Sequence, residues 1–319
     1  MSDLLITGSN AVKNSQLALN VVSNNIANVN TEGYVKQSLI YTESPASIVG
    51  AFPVGTGAIA NGVKRAYDGL VESSVRNSES DLSSQLPVVD FTNRLIDVFG
   101  DQKASLVPAL GDFFDGFRDL ALDASSRVRR DQLLSSASTV TARFRELGER
   151  LSAFDLESRE ALETKVEQFN ELVSQLSLVN TKLIKIQDLS KQPPDLLDLK
   201  DNLLRNLSSF AKLVVKEESN GSVVVGLGSF DRKLLEKAEF VTLDIKMAPD
   251  KGSPIQLELS YDGQVKNISQ LAGGEISGLN NFRERVLNPT LEGFDRLAYA
   301  FVTEINDLHS QGLDLLGAR

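Results

Sequence analysis

Residues 162–183 read LETKVEQFNELVSQLSLVNTKL. Within them Leu162, Val166, Phe169, Val173, Leu176, Asn180 and Leu183 follow one another in alternating steps of four and three. Such steps keep side chains on one face of an α-helix, and their repetition marks a helix packed along its length against another. Leu172, Val179 and Ile186 flank this seam, so the spacing predicts a long helix over 156–190, antiparallel to a neighbour in a bundle or coiled coil. The one polar member, Asn180, either fixes the register or marks a solvated end of the stripe.

Downstream, Pro193-Pro194 ends this helix and Asp195 caps a shorter one, Leu196 to Phe210. Residues 211–279 turn to strand chemistry. Lys212 to Lys216 and Ser222 to Val225 flank Asn220-Gly221, a strong hairpin signal because both residues tolerate the left-handed backbone of a tight turn. Further strands are expected at Phe240 to Ile245, Ile255 to Ser260 and Val265 to Ile268, with Asp262-Gly263 as a second hairpin turn. After Gly273-Gly274 the helical pattern resumes through Asn280 to Leu308.

Upstream, residues 70–150 are also helical in pattern. Val71, Val75, Leu82, Leu86 and Val89 give one amphipathic face, Pro87 breaks or kinks it, and Phe91, Leu95, Val98 and Phe99 continue. Another helix opens near Pro108 and a further one runs from Arg127 to Leu151. Residues 3–28 carry a strict heptad, Leu5, Val12, Leu19 and Ile26, widened by Ala11, Ala18 and Val22. That stripe is narrow, so this first helix is marginal alone and needs a partner, inside the chain or outside it. The glycine-rich stretch 29–69 reads as an extended linker with one or two strands.

The fold class is therefore mainly α with a β-rich insert (α+β), long antiparallel helices in an elongated bundle plus a small antiparallel sheet. Four parts are expected: an N-terminal helix and linker over 1–69, a helical bundle over 70–210, the β-rich insert over 211–279, and a helix returning to the bundle over 280–319.

Composition narrows the chemistry. The 319 residues carry a formal net charge of −10, which argues against nucleic acid as a partner and offers no basic face to anionic lipid. There is no cysteine and one histidine, His309, so thiolate chemistry and zinc sites built on Cys or several His are excluded. The N-terminal MSDLLITGSN lacks the basic region and apolar core of a secretory signal, and no apolar run is long enough to span a membrane. Asp112, Asp115, Asp119, Asp195, Asp198 and Asp201 group on helix faces at spacings of three or four, and the reading for all six is a solvated acidic face. Gly55-Thr56-Gly57 and Gly226-Leu227-Gly228 lack the strand–loop–helix context of a phosphate loop and read as turns or strand bends. His309 reads as a helix C-terminal residue. No catalytic, cofactor or metal constellation emerges, which favours assembly over catalysis.

Residues 23–34, SNNIANVNTEGY, place four asparagines where the first helix ends, with Gly33 permitting a sharp change of direction and asparagine tolerating left-handed backbone. This stretch resembles the N-terminal motif of bacterial flagellar axial proteins. Tyr34-Val35-Lys36-Gln37, the segment Leu110 to Leu133, Asp195-Leu196-Leu197-Asp198-Leu199-Lys200-Asp201, Gly273 to Leu279 and Asn306 to Gly312 follow in the order found in the flagellar hook-associated protein 1 family, the hook–filament junction proteins. Lys36 stands where that family usually has Arg, and Asp123 to Ser126 replaces a segment that commonly holds proline. Chains of the family usually continue past the last motif and return a C-terminal heptad helix, so this chain is expected to be a fragment.

The resemblance implies a non-enzymatic structural component of the bacterial flagellum, secreted to the cell exterior by the flagellar type III apparatus without a cleavable signal. It implies junction formation by coupled folding and assembly of the terminal helix. The implied partners are the hook protein, hook-associated protein 3, neighbouring copies of the chain, and an export chaperone acting through the missing C-terminal part. Neither nucleic acid nor membrane insertion is expected. The assembly interface is assigned to Leu5, Val12, Leu19, Val22, Ile26, Asn28, Gly33 and Tyr34. Another axial protein of hook or rod, and a secreted surface hydrolase, are the competing readings.

Overall fold

The computed structural model describes residues 2–49, 52–100, 105–247, 252–261, 264–268 and 271–312. Helix α1 spans Ser2–Ala27. Four short strands follow, β1 (Gln37–Glu43), β2 (Ser47–Val49), β3 (Phe52–Val54) and β4 (Ala58–Arg65). Helices α2 (Gly69–Gly100), α3 (Leu106–Leu122), α4 (Arg127–Ile184) and α5 (Pro194–Phe210) come next, with a 3-10 turn at Leu189–Lys191. Strands β5 (Leu213–Glu217), β6 (Val223–Leu227), β7 (Lys233–Glu236), β8 (Glu239–Phe240), β9 (Leu243–Met247), β10 (Ile255–Tyr261) and β11 (Gln264–Ile268) form the β part. Helix α6 (Gly274–Phe282), a π turn at Arg283–Leu287 and helix α7 (Asn288–Ser310) complete the chain.

The stretch 162–183 lies in the middle of the longest element, with Leu162, Phe169, Val173, Leu176 and Leu183 fully buried. The two helices expected over 127–151 and 156–190 are one helix of 58 residues. No proline or glycine interrupts 149–184, and Leu151, Phe154 and Ser158 carry the buried face across the expected break. Asn180 marks no solvated end. It is fully buried, donates Nδ2 to the carbonyls of Val223 (3.1 Å) and Lys237 (2.5 Å), and accepts the Val223 N–H at 2.7 Å. Asn170 does the same one level along, donating to the Leu243 carbonyl and accepting the Leu243 N–H, both at 2.8 Å. The helix is thus fastened to both sheets of the β part.

Those sheets are antiparallel, in the order β5-β6-β7-β8 and β11-β10-β9. The Asn220-Gly221 turn is present, with Gly221 at φ +82°. The expected single strand over 240–245 is instead the end of one sheet (β8) and the edge of the other (β9), and β7 lies where no strand is expected. Asp262-Gly263 falls outside the described residues. The linker also holds more strands than expected. β1 pairs with β4, and β2 pairs with β3 between them. The boundary drawn at 279 passes through α6, which starts just after Gly273.

Helix α2 departs most from its pattern. Val71, Val75, Leu82, Leu86 and Val89 face solvent, and the buried residues are Ser80, Ser83, Phe91 and Leu95. The serines win the inner face because α6 crosses there at very short range: a Cβ on Gly278 would overlap the Ser84 carbonyl, and one on Gly273 the Ser80 hydroxyl. Pro87 sits at this crossing without ending the helix.

Two hydrophobic clusters result. The larger runs from Phe91 and Leu95 of α2 through α4, α5 and α6 into both β-part sheets. The smaller joins α3, α4 and α7 through Phe113, Phe144 and Phe301, whose rings lie 5.6 to 5.7 Å apart. Beside the larger cluster, Arg283 of the π turn is buried against α4, donating to Asp155 Oδ1 at 2.8 Å and to the Asp155 carbonyl at 3.1 Å.

Removing the Asn180 carboxamide takes the partner from the buried Val223 N–H and carbonyl and from the part-buried Lys237 carbonyl, and each buried group left unpaired costs about 1–3 kcal/mol. Asn180→Ala is expected to lower the unfolding free energy by about 3 kcal/mol in urea titrations. A loss below about 0.5 kcal/mol, the range of an ordinary surface change, would contradict this.

Candidate functional site

Residues 2–65 form an arm, a helix with a β ribbon along one side. Asparagine side chains join the two. Asn14 donates to the Ala58 carbonyl at 2.7 Å and accepts the Ala60 N–H at 3.1 Å. Asn25 donates to the Gln37 carbonyl and accepts the Gln37 N–H, both at 2.9 Å, and also accepts the Tyr34 hydroxyl at 2.8 Å. Near the far end Thr7 Oγ1 donates to the Thr56 carbonyl at 3.3 Å. A carboxamide has the donor–acceptor geometry of a peptide group, so it can complete a strand residue as a neighbouring strand would.

These bonds hold one polar side of α1 and leave its apolar side open. Leu5, Val12, Leu19, Val22 and Ile26 are all exposed, Leu5 to 76% and Ile26 to 68%. The arm is also nearly free of charge. From residue 4 to residue 63 the charged side chains are Lys13, Glu32, Lys36 and Glu43, in a chain whose charged fraction is 24%. A helix whose charged residues are Asp3 and Lys13 alone, with an exposed heptad stripe, is suited to cover by another protein surface rather than to water.

The remaining residues assigned to the interface lie elsewhere. Asn28, Gly33 and Tyr34 belong to the joint between arm and body, not to the stripe. Asn28 donates Nδ2 to the Asn24 carbonyl at 3.0 Å and accepts Thr31 Oγ1 at 3.2 Å, closing the end of α1. The asparagines keep ordinary backbone and act through their side chains, which bond backbone groups at the turn. Gly33 takes the left-handed backbone, at φ +77°, and a Cβ there would overlap the Asn202 carboxamide of α5. The turn is therefore seated on α5 at a point only glycine can occupy.

The second strand of the joint reaches the same helix. Arg65 Nη2 lies 2.5 Å from Asp198 Oδ1 and 2.6 Å from Asp201 Oδ2. The Val35 N–H also bonds Asp198. Lys200, fully buried, bonds Glu217 at 2.6 Å and the Gly221 carbonyl at 3.2 Å. The Tyr67 ring lies between these cations, 5.2 Å from Arg65 and 5.7 Å from Lys200. The reading of Asp198 and Asp201 as solvated acids is thus overturned, since both are buried. Asp112, Asp115 and Asp119 of α3 are exposed, as read. Asn14, Asn25, Arg65, Tyr67, Lys200 and Asn202 had gone unassigned. The motif at 195–201 was the available signal, because an Asp-x-x-Asp spacing puts Asp198 and Asp201 on one side of α5.

The charges in the joint shift its titrations. Burial pushes the Asp198 carboxyl above its ordinary value, against the pull of Arg65. Burial, with Asp201 and Glu217 nearby, pushes the Tyr67 phenol up to about 12. His309 is exposed in the last turn of α7. Among the described residues no group of three or more His, Cys, Asp or Glu is placed to hold a metal ion.

Two outcomes are expected. Gly33→Ala imposes about 1–2 kcal/mol of backbone strain as well as the overlap, so amide exchange at Val35 and Gln37 is expected to accelerate; adding Asn202→Ala removes the overlap and recovers only part of the protection. For Tyr67, the unfolded phenol ionises near 10.0 and the folded one near 12, so the folded state holds its proton through that interval and stability falls as pH rises across it. Melting temperatures followed from pH 9 to 12 are expected to drop more steeply in the parent than in Tyr67→Phe.

Comparison with known proteins agrees with this geometry. The family model of the flagellar hook-associated protein FlgK helical domain matches residues 92–319, and that of the flagella basal body rod protein matches residues 5–34. The chain is 25% identical over 324 residues to flagellar hook-associated protein 1 of Salmonella typhimurium, covering 99% of this chain and 58% of that protein. It is 24% identical to the Escherichia coli protein of the same name (99% and 59%) and 23% identical to that of Bacillus subtilis (98% and 68%). The chain thus spans 58% of the length of the first of these relatives. The structure of the flagellar hook junction protein FlgK from Burkholderia pseudomallei superposes with a TM-score of 0.69, at 23% identity, over 77% of this chain and 45% of that one, and so has the same fold. With most of its length matched by the helical-domain model and residues 5–34 by the rod-protein model, this chain belongs to the flagellar hook-associated protein FlgK family.

Proposed function

We propose that this chain is a structural, non-enzymatic component of the junction between flagellar hook and filament. The exposed heptad stripe on an almost uncharged arm carries this reading. The α1 stripe packs on helices of neighbouring copies and of the hook protein, while the body faces hook-associated protein 3. The chain works outside the cell, delivered by the flagellar type III apparatus with an export chaperone.

Magnitudes favour a ring over a pair. Burying the five stripe residues contributes roughly 1.5–3 kcal/mol each, or about 8–15 kcal/mol together, and association costs about 4–15 kcal/mol. A single docked neighbour is close to break-even, so the stripe docks stably only when several neighbours close around it. Coupled folding then means completing the apolar face of α1. Its polar face is already joined to the ribbon.

Leu19→Asp and Ile26→Asp are each expected to abolish capping of isolated hooks, because a carboxylate in a buried seam is not tolerated. The body's denaturation midpoint is expected to stay unchanged. Retained capping by either folded variant would overturn the assignment of the stripe.

A further inference from the structure

Every contact described above between arm and body is polar. The larger hydrophobic cluster takes its first side chains from Val88 and Phe91, and the smaller from Ala109; among the described residues neither includes anything from 2–65. The seats of the arm are Gly33 on Asn202, the Val35 N–H on Asp198, Arg65 on Asp198 and Asp201, and Gly62, where a Cβ would lie 3.0 Å from the Ser190 carbonyl. Three of these four converge on one helical stretch of α5, residues 198–202. Among the described residues, no arm side chain joins either hydrophobic cluster, whose apolar burial resists separation in proportion to area.

We infer that Arg65, Asp198 and Asp201 form the principal latch that sets the direction of the arm relative to the body, so that opening it frees the arm to swing while both parts stay folded. Arg65 is the last residue of β4, and its guanidinium is the one group of the arm that holds two carboxylates of the body at once. Its side chain is 8% exposed and that of Asp201 is 1% exposed, so salt screens the pair little. Lys200 ties α5 to Glu217 of β5 and the Gly221 carbonyl while its ammonium lies 3.4 Å from Asp201 Oδ1, so the latch has a seat in the β part. The arm keeps its own structure when released, because the bonds of Asn14 and Asn25 lie wholly within it. The body keeps its two clusters. This latch is a property of the single chain and does not depend on the junction assignment.

The chain has no cysteine, so two introduced thiols carry spin labels without background. Gln16→Cys on the arm and Glu163→Cys on α4 are both exposed positions. Pulsed dipolar spectroscopy of the doubly labelled chain is expected to give one narrow distance distribution. In Arg65→Met that single peak is expected to be lost to a broad distribution, with the far-ultraviolet circular dichroism and the melting temperature of the body retained. If Arg65→Met does not fold, Asp198→Asn reads the same quantity: it keeps the side-chain shape, leaves Arg65 one carboxylate, and is expected to broaden the peak partially. A peak as narrow as the parent's in the folded variant, at the same mean distance, overturns the latch. A broad distribution in the unmodified chain overturns it as well. Hook capping plays no part in this readout, so failure of the latch and failure of the junction assignment are separable.

Discussion

A carboxamide that satisfies both the N–H and the carbonyl of a strand is the interaction on which this fold depends. Among the described residues it occurs four times, at Asn14, Asn25, Asn170 and Asn180, always from a helix to a strand. A helix cannot offer its own backbone to a strand, because its amides are already paired along the axis. An asparagine projects one spare peptide-like group sideways and so lets a helix close a sheet edge. In the body this happens beside the hydrophobic cluster, where an unmet N–H is expensive. In the arm it happens at the surface and holds α1 against its ribbon without spending the apolar stripe.

The arm and body show contrasting economies of charge. The arm has little charge to desolvate, which suits a surface that is to be covered. The joint concentrates Arg65, Lys200, Asp198, Asp201 and Glu217 in one place. Buried ions cost several kcal/mol each before pairing, and well-packed apolar groups at such positions often hold more tightly. Ionic contacts give direction instead, since they act only when both partners are in place.

Much of this was legible in the residues. The four–three steps in 162–183 gave the long helix, and Asn220-Gly221 gave the hairpin, because periodicity and turn chemistry are local. The heptad Leu5, Val12, Leu19 and Ile26 located the exposed stripe. What escaped was non-local. The stripe Val71 to Val89 on α2 has the same pattern as a core-facing one, and only the close crossing of α6 at Ser84 and Gly278 decides that the serines go inside. Asp198 and Asp201 share their spacing with the solvated acids of α3, and their burial depends on Arg65, more than a hundred residues away in sequence. Asn180 was ambiguous for the same reason, since its three partners come from β6 and the β7–β8 turn, later in the chain.

The 58 residues of α4 make a rod about 87 Å long. Leu133 to Phe144, in the first third of the rod, belong to the smaller cluster, and Leu147 to Leu183 along the rest belong to the larger. The two clusters are therefore mounted on a common shaft, and their relative angle is fixed by the number of residues between them. One inserted residue would turn one cluster by about 100° against the other, whereas seven would nearly restore the phase. The middle of α4 can tolerate wide changes of composition on its outer side, but it can change length only in near-whole turns.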